Sequence, residues 1–323
     1  MIFLRMKNSL SSKRKKSNKK SQDQIEDDFD PNPMLNENGI RSDKLIGKGH
    51  FSNVYSGYYH DKTPVAIKII KRGNDRTEEN ELEILKKLKG KKHIVQLYDG
   101  FIEQEHAIFV FEKIDSLSEN EILSKRLTIE QIRFYLKCVL EALREAHRMS
   151  IIHRDLRFQN VLVNKKFDNV TVIDWGCGTK ISSTMSSSAG SRSTRSPEML
   201  MGYNNYETKG DVWSVGALIL YILTDGNIPW DAKNTKDAFI KMAKYFGAQN
   251  ILNLEETLHI DFYAKKLHKH INDEVIPISS TFSPKYADLN NKDLIDLINK
   301  CFILDYRLRP KASDLLDHEF FKA

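Results

Sequence analysis

The sequence predicts an α+β chain in two lobes, with the strands in the first part and most of the helices in the second. Three observations carry that expectation. Short β-branched and aromatic runs with turn residues between them crowd the stretch before residue 112. From Thr128 to Met149 apolar residues return at helical spacing. Val215 to Leu223 is apolar apart from Gly216, which suits a helix buried on all sides and is too short to cross a bilayer.

The 323 residues are 40% apolar and 29% charged, ordinary for a soluble globular protein and enough for one large domain or two lobes with a shared core. The formal charge of +6 is not spread evenly. Residues 1–22 hold eight Lys or Arg and no acid, so the other 301 residues carry 42 bases against 44 acids. A body this close to neutral makes nucleic-acid binding a secondary task at most. Cys138, Cys177 and Cys301 lie far apart, in no metal-ligand spacing and no disulfide framework, which suits a reducing compartment. The opening Met1-Ile2-Phe3-Leu4-Arg5 is too short for a signal-peptide core.

Residues 1–36 read as a disordered tail, basic and then acidic, 37–114 as the strand lobe and 115–323 as the helical lobe. Residues 7–20 are polybasic and rich in Ser and Asn. They suit a nuclear-import signal or an anchor on nucleic acid or anionic lipid; a plain solvated tail is the competing reading. The first strand is expected at Lys44-Leu45-Ile46. It leads into Gly47-Lys48-Gly49-His50-Phe51-Ser52-Asn53-Val54-Tyr55, where two glycines bracket a point at which backbone can approach a phosphate. A turn near Asp61-Lys62 closes a hairpin onto Val65-Ala66-Ile67-Lys68.

Glu78 to Lys89 reads as a helix, with Leu82, Leu85 and Leu88 along one face and Gly90 ending it. Glu81 is its candidate partner for Lys68, with Glu78, Glu79 and Glu83 as rivals. Ile94 to Leu97 and Ala107 to Phe111 read as strands, and the lobe boundary falls at Glu112-Lys113-Ile114. Thr128 and Gln131 form a capping box at the start of the long helix. Its stripe of Ile132, Tyr135, Leu136, Val139, Leu140 and Leu143 reads as core, and Cys138 beside it as structural. Residues 231–290 read as irregular, with helical pieces over 237–246. His268 and His270 have no third ligand and read as a solvated face. Ala312 to Phe321 closes the chain as helix.

The chemistry concentrates in His153-Arg154-Asp155-Leu156-Arg157-Phe158-Gln159-Asn160, with Ile173-Asp174-Trp175-Gly176 soon after. An acid and an amide sit five positions apart on one short loop. Asp155 could take a proton from a hydroxyl, and Asn160 with Asp174 could hold a hard cation.

These stretches, taken in order, resemble a eukaryotic protein kinase from about Leu45 to Phe321. Each motif alone is common, but the series from the Gly-rich loop through Lys68, Glu81, Asp155, Asn160, Asp174, Glu198, Asp211 and Arg309 is collinear with that family. The resemblance implies a bilobal protein-kinase fold, with a small antiparallel β-sheet lobe plus one helix and a larger mainly α-helical lobe. It implies ATP and Mg2+ as cofactors and protein Ser/Thr hydroxyls as acceptors. Lys68, fixed by Glu81, would hold the α- and β-phosphates. Asp174 and Asn160 would bind Mg2+, Asp155 would orient the attacking hydroxyl, and Arg157 stands where a Lys usually steadies the γ-phosphate. Ile46, Gly47, Gly49 and Ser52 would line the nucleotide loop, with Ser52 in place of a third glycine. Val54, Ala66 and Leu162 would sandwich adenine, Glu112 and Ile114 would offer it backbone groups, and Phe111 takes the gatekeeper position. Glu198 and Arg309 resemble the buried ion pair of the lower lobe, and Ser191 the residue that marks serine/threonine kinases.

Within that family the chain is similar to the casein kinase II catalytic subunit. The similarity rests on Gly47-Lys48-Gly49-His50-Phe51-Ser52, Asp174-Trp175-Gly176, Leu127-Thr128 with Ile132-Arg133-Phe134-Tyr135, and Met242-Ala243-Lys244-Tyr245-Phe246-Gly247. It implies acceptors followed by acidic residues, a regulatory subunit as partner, and activity without activation-loop phosphorylation. Four features depart from it. Lys71 to Glu79 is mixed in charge where the family has a lysine run, so Arg192 and Arg195 are left as the basic substrate-reading residues, against a structural role for both. Phe158 replaces the usual Pro, Arg157 the usual Lys, and the tail differs. Ala189-Gly190-Ser191-Arg192, Thr208-Lys209 and Trp213-Ser214-Val215-Gly216 also resemble the cell division control protein 7 family, which would imply work in the cell cycle and replication initiation. A pseudokinase scaffold is the alternative of another class, and the presence of Lys68, Asp155, Asn160 and Asp174 argues against it. Either kinase family suits a nuclear or cytoplasmic location.

Overall fold

A computed structural model describes residues 31–49, 52–70, 75–103, 106–183, 185–260 and 273–322. The basic tail, His50, Phe51, Lys71-Arg72-Gly73-Asn74, Thr184, and His268 with His270 lie outside the described residues. One unit ends at Leu82 and resumes over Gln96–Lys113; the other holds Glu83–Val95 and runs on from Ile114.

In the first unit, strands β1 (Ile40–Lys48), β2 (Ser52–Tyr59), β3 (Thr63–Ile70), β4 (Leu97–Glu103) and β5 (His106–Glu112) form an antiparallel sheet in the order β1-β2-β3-β5-β4. Period-two alternation in β3 puts Val65, Ile67 and Ile69 on one face, where they pack with Ile108 and Val110 of β5. The tail reading is corrected at its end. Asn32–Glu37 is a helix, α1, and its Met34 and Leu35 join Ile40 in that same core. Pro33 fits because the first turn of a helix has no use for its missing N–H. Gly57 of β2 lies so close to Arg41 of β1 that a Cβ there would stand 2.0 Å from the Arg41 carbonyl oxygen. The strand expected at Ile94–Leu97 begins only at Leu97. Ile94 and Val95 instead join the second unit, where the Val95 N–H bonds the Val172 carbonyl at 3.1 Å.

Helix α2 (Asp75–Leu88) starts three residues before the expected Glu78. The second unit is built on two helices. In α4 (Ile129–Arg148) Thr128 and Gln131 make the expected capping box, a device worth about 1 kcal/mol. Its apolar stripe, including Cys138, is buried. In α6 (Lys209–Leu223) every residue from Gly210 to Leu220 is buried. Gly216 is needed there, since a Cβ would meet Phe302 and Cys301 at 2.8 Å. Trp213, Trp230, Phe246 and Phe302 pack round that point with ring centroids 4.9–5.9 Å apart. Among the described residues of 231–290 the helical piece expected over 237–246 is α7 (Thr235–Phe246), and a second helix, α8 (Ala248–Leu258), follows a break at Gly247, whose φ is +86°. Two short helices, α3 (Glu119–Leu123) and α5 (Pro197–Leu200), precede α4 and α6, and the pairs β6 (Ile151–Ile152) with β9 (Thr179–Lys180) and β7 (Val161–Val163) with β8 (Val170–Val172) frame the loops that hold Asp155, Asn160 and Asp174. Among the described residues no helix is long and apolar enough to cross a membrane.

Candidate active site

Each unit carries its own set of the residues singled out above. In the first, strand pairing fixes which of them share a face. Gly47 lies opposite Val54, Val54 opposite Lys68, and Ala66 opposite Phe111. Cross-strand partners point to the same side, so these residues share the face turned away from the Val65–Ile67–Ile69 core. Ile46 is half exposed, at 51%. The Gly49 N–H bonds the Ser52 carbonyl at 2.8 Å, which closes the glycine turn with Ser52 in the third position. Lys68 Nζ donates to Glu81 Oε1 at 2.7 Å, and Glu81 is only 3% exposed. Of its rivals, Glu83 is exposed and bonds Lys87 and Lys180, Glu79 is exposed, and Glu78 is buried with one carboxylate oxygen unpartnered among the described residues. Glu112 is tied twice to Gln96, through its own N–H at 3.0 Å and through its carboxylate at 2.9 Å. Its N–H is therefore committed, which narrows what it can offer a ring.

In the second unit the start of the His153–Asn160 segment is held by α6. The Asp211 carboxylate, fully buried, accepts the N–H groups of His153 and Arg154 and the ring N–H of His147, each at 2.9 Å. Burial alone would raise this carboxyl, but the His147 bond and charge, followed by those of His153, bring it below its ordinary value. The His153 ring lies edge-on to Trp175 and spans Ile173 O at 3.0 Å and the Asp155 N–H at 3.2 Å. Only the tautomer with its proton on Nε2 satisfies both.

Asp155 is held from both sides. Oδ1 accepts the Ser191 N–H at 2.8 Å, and Oδ2 accepts Asn160 Nδ2 at 3.2 Å. Asn160 Nδ2 also donates to the Asp155 carbonyl at 2.8 Å. The amide nitrogen of Asn160 is thereby spent, and its oxygen is the atom left for a cation. The Ile173 N–H bonds the Asn160 carbonyl at 2.9 Å, tying the loop to the residue before Asp174. Asp174 is exposed and left-handed, with φ 59° and ψ 72°. Such backbone costs energy in a non-glycine residue and collects at functional sites. Arg157 Nε lies 3.8 Å from Asp155 Oδ2 and its side chain is 42% exposed. Leu162 and Ile114 are partly buried.

A protein kinase domain model matches residues 40–321. The chain belongs to the protein kinase family. This kinase is 28% identical over 290 residues to casein kinase II subunit alpha' of Saccharomyces cerevisiae, covering 86% of the chain and 83% of the relative. It is 27% identical over 290 residues to a probable casein kinase II subunit alpha homolog of Encephalitozoon cuniculi, covering 86% of each. It is a protein serine/threonine kinase of a divergent, casein kinase II-like kind.

The kinase's segment from Met185 to Arg195 is anchored by contacts that its sequence does not announce. Met185 is buried with Ile152, Met199 and Tyr206. The Tyr206 hydroxyl donates to Ser186 O at 2.7 Å, and Arg154 Nε to Cys177 O at 2.6 Å. Arg195 caps three successive carbonyls, Ser188, Ala189 (2.8 Å) and Gly190 (2.6 Å), which is the structural duty that competed with substrate reading. Arg192 is exposed and reaches Ala232 O at 3.4 Å. Gly190 has φ +75°, and a Cβ there would lie 2.0 Å from Arg154 O. Gly190→Ala should therefore push Ser191 off Asp155. The expected result is a melting temperature several degrees lower, about 1–3 kcal/mol, with phosphate transfer reduced far beyond what that loss explains; wild-type transfer rates from this variant would contradict the geometry.

Proposed function

We propose that this kinase transfers the γ-phosphate of ATP to Ser or Thr hydroxyls followed by acidic residues, as casein kinase II-like resemblance implies. The observation that carries the reading is the doubly held Asp155 carboxylate beside Asn160. A carboxylate fixed in that way can orient a hydroxyl and take its proton. Lys68, oriented by Glu81, would bind the α- and β-phosphates, and Arg157 would meet the γ-phosphate. The donor set fits Mg2+, which prefers a few hard oxygens plus phosphate over an all-protein cage. Asn160 Oδ1 and the Asp174 carboxylate are such oxygens, and no cluster of three or more metal-binding side chains occurs among the described residues. When bound, the metal supplies charge neutralisation for the transferring phosphoryl group. Lys68→Met should lower kcat by about two to three orders of magnitude, measured as labelled phosphate incorporated into casein.

Acidic preference is supported by charge. Burial first, and then the nearby charge of Arg192, push the Arg195 guanidinium down, and among the described residues neither arginine has a carboxylate in ion-pair range. Arg195 is committed to the carbonyls of 188–190, so the exposed Arg192 is the cation left for a substrate carboxylate. A positional peptide library should show Asp or Glu favoured after the acceptor. Arg192→Ala should cut that preference about tenfold, some 1.4 kcal/mol, while leaving transfer to a neutral peptide intact; indifference of the wild type to acids there would remove the reading. The basic tail supports a nuclear or cytoplasmic place of work and a weak nucleic-acid contact, and the resemblance supports a regulatory subunit. Salt-dependent DNA binding that is the same with and without residues 1–22 would end the nucleic-acid part.

A further inference from the structure

Phe158 stands in the catalytic loop where the family resemblance implies Pro, and Tyr221 lies ten residues beyond Asp211 on α6. The two rings stack, with centroids 5.2 Å apart and 30° between planes. Phe158 is 5% exposed. The Tyr221 hydroxyl donates to the Glu119 carboxylate. The Gln159 side-chain amide donates to the same carboxylate at 2.9 Å and to the Tyr221 oxygen at 3.3 Å. Glu119 opens α3, whose start is fixed by the Ser118 capping box. Burial, then the bond to Glu119, push the Tyr221 hydroxyl up to about 12, so it remains a donor at neutral pH. Asp211 grips the first residues of the loop and Tyr221 holds Phe158 and Gln159 near its end, about 15 Å apart along the same helix.

Pro would fix its own φ and restrict the residue before it. Phe does neither. The Phe158–Asn160 turn has few bonds of its own, from Asn160 N–H to Arg157 O at 2.9 Å and from Val161 N–H to Phe158 O. A single 3₁₀ turn of this kind holds poorly alone. We propose that Tyr221 is a positioning residue for phosphoryl transfer, fastening the end of the catalytic loop to α6 through its stack on Phe158 and its bond to Glu119, and so aiming Asn160 and Asp155. The proposal rests on the kinase reading given above.

The test uses the full chain as wild type, Tyr221→Ala, Tyr221→Phe, Phe158→Ala and the double alanine variant. Two readouts are taken, amide hydrogen exchange by peptide mapping and steady-state kinetics on an acidic peptide with ATP and Mg2+. In Tyr221→Ala, exchange over 157–163 should quicken about tenfold while α4 keeps its protection. Its kcat should fall about tenfold or more with peptide KM unchanged, since misplacement by about 1 Å costs up to a hundredfold. Tyr221→Phe keeps the ring and should lose less than about threefold, and the double variant should lose less than the two single losses combined because both remove the same stack. A rise in peptide KM alone would make Tyr221 a substrate contact and overturn the proposal. So would unchanged exchange over 157–163, or an equal loss of protection throughout. If Tyr221→Ala does not fold, Phe158→Leu decides by the same local exchange, and no local change there overturns it. An inactive wild type would sink the kinase reading, while the exchange data would still decide the positioning role.

Discussion

Asp155→Asn should reduce phosphate incorporation into casein by about 10²–10⁴-fold. The substitution keeps size and shape. It removes the group that can accept a proton, and it replaces two accepting oxygens by one. Oδ1 now accepts from Ser191 and Oδ2 from Asn160. An amide can satisfy only one of them, so the variant should also lose about 1 kcal/mol, a shift of a few degrees in melting temperature. The large loss of rate against the small loss of stability is what separates a proton-accepting group from a structural one. Incorporation equal to wild type would mean that Asp155 takes no part in the chemistry, and the assignment of the loop would fall with it.

Arg309→Ala should destabilise the second unit by about 3–5 kcal/mol, read from urea denaturation. Arg309 and Glu198 are both fully buried. The fork of Arg309 meets Glu198 at 2.9 and 3.1 Å, and its remaining donors go to the carbonyls of Lys209 (2.8 Å), Ile303 (2.9 Å) and Leu304 (3.2 Å). All five N–H groups are spent, and the guanidinium lies over Trp213 at 5.2 Å. Removing it strands a carboxylate in a place where water cannot reach it. Glu198→Gln should cost less, because a neutral amide is cheaper to bury than an unpaired charge. A loss below about 1 kcal/mol for Arg309→Ala would show that the pair contributes only as a surface bridge does.

Much of the fold and of the candidate site is legible in the sequence. Asp155, Asn160 and Asp174 sit on short segments, so their spacing along the chain already limits their spacing in space. Thr128 with Gln131 was legible for the same reason, since a capping box is made by neighbours. Helical period alone left four glutamates open on α2, and only the sheet decided among them by bringing Lys68 to 2.7 Å from Glu81. α1 was missed because six residues that include one proline and follow another show too little periodicity, and its worth comes from burying Met34 and Leu35 on strands that follow it. Tyr221 was missed because it sits inside an apolar run, where a phenol reads as one more core residue.

What the sequence determined by itself is the family, and with it the candidate site residues: an ordered series of local motifs, each readable because its members are close in the chain. What only the tertiary structure decided is how those groups are held. His147 on Asp211, Ser191 on Asp155, Arg195 over the carbonyls of 188–190, and Tyr221 on Phe158 and Glu119 join parts of the chain that the sequence order does not bring together. The physical reason is that hydrogen bonds and ring stacks act over a few ångströms, so their partners become known only once packing has chosen which distant segments meet.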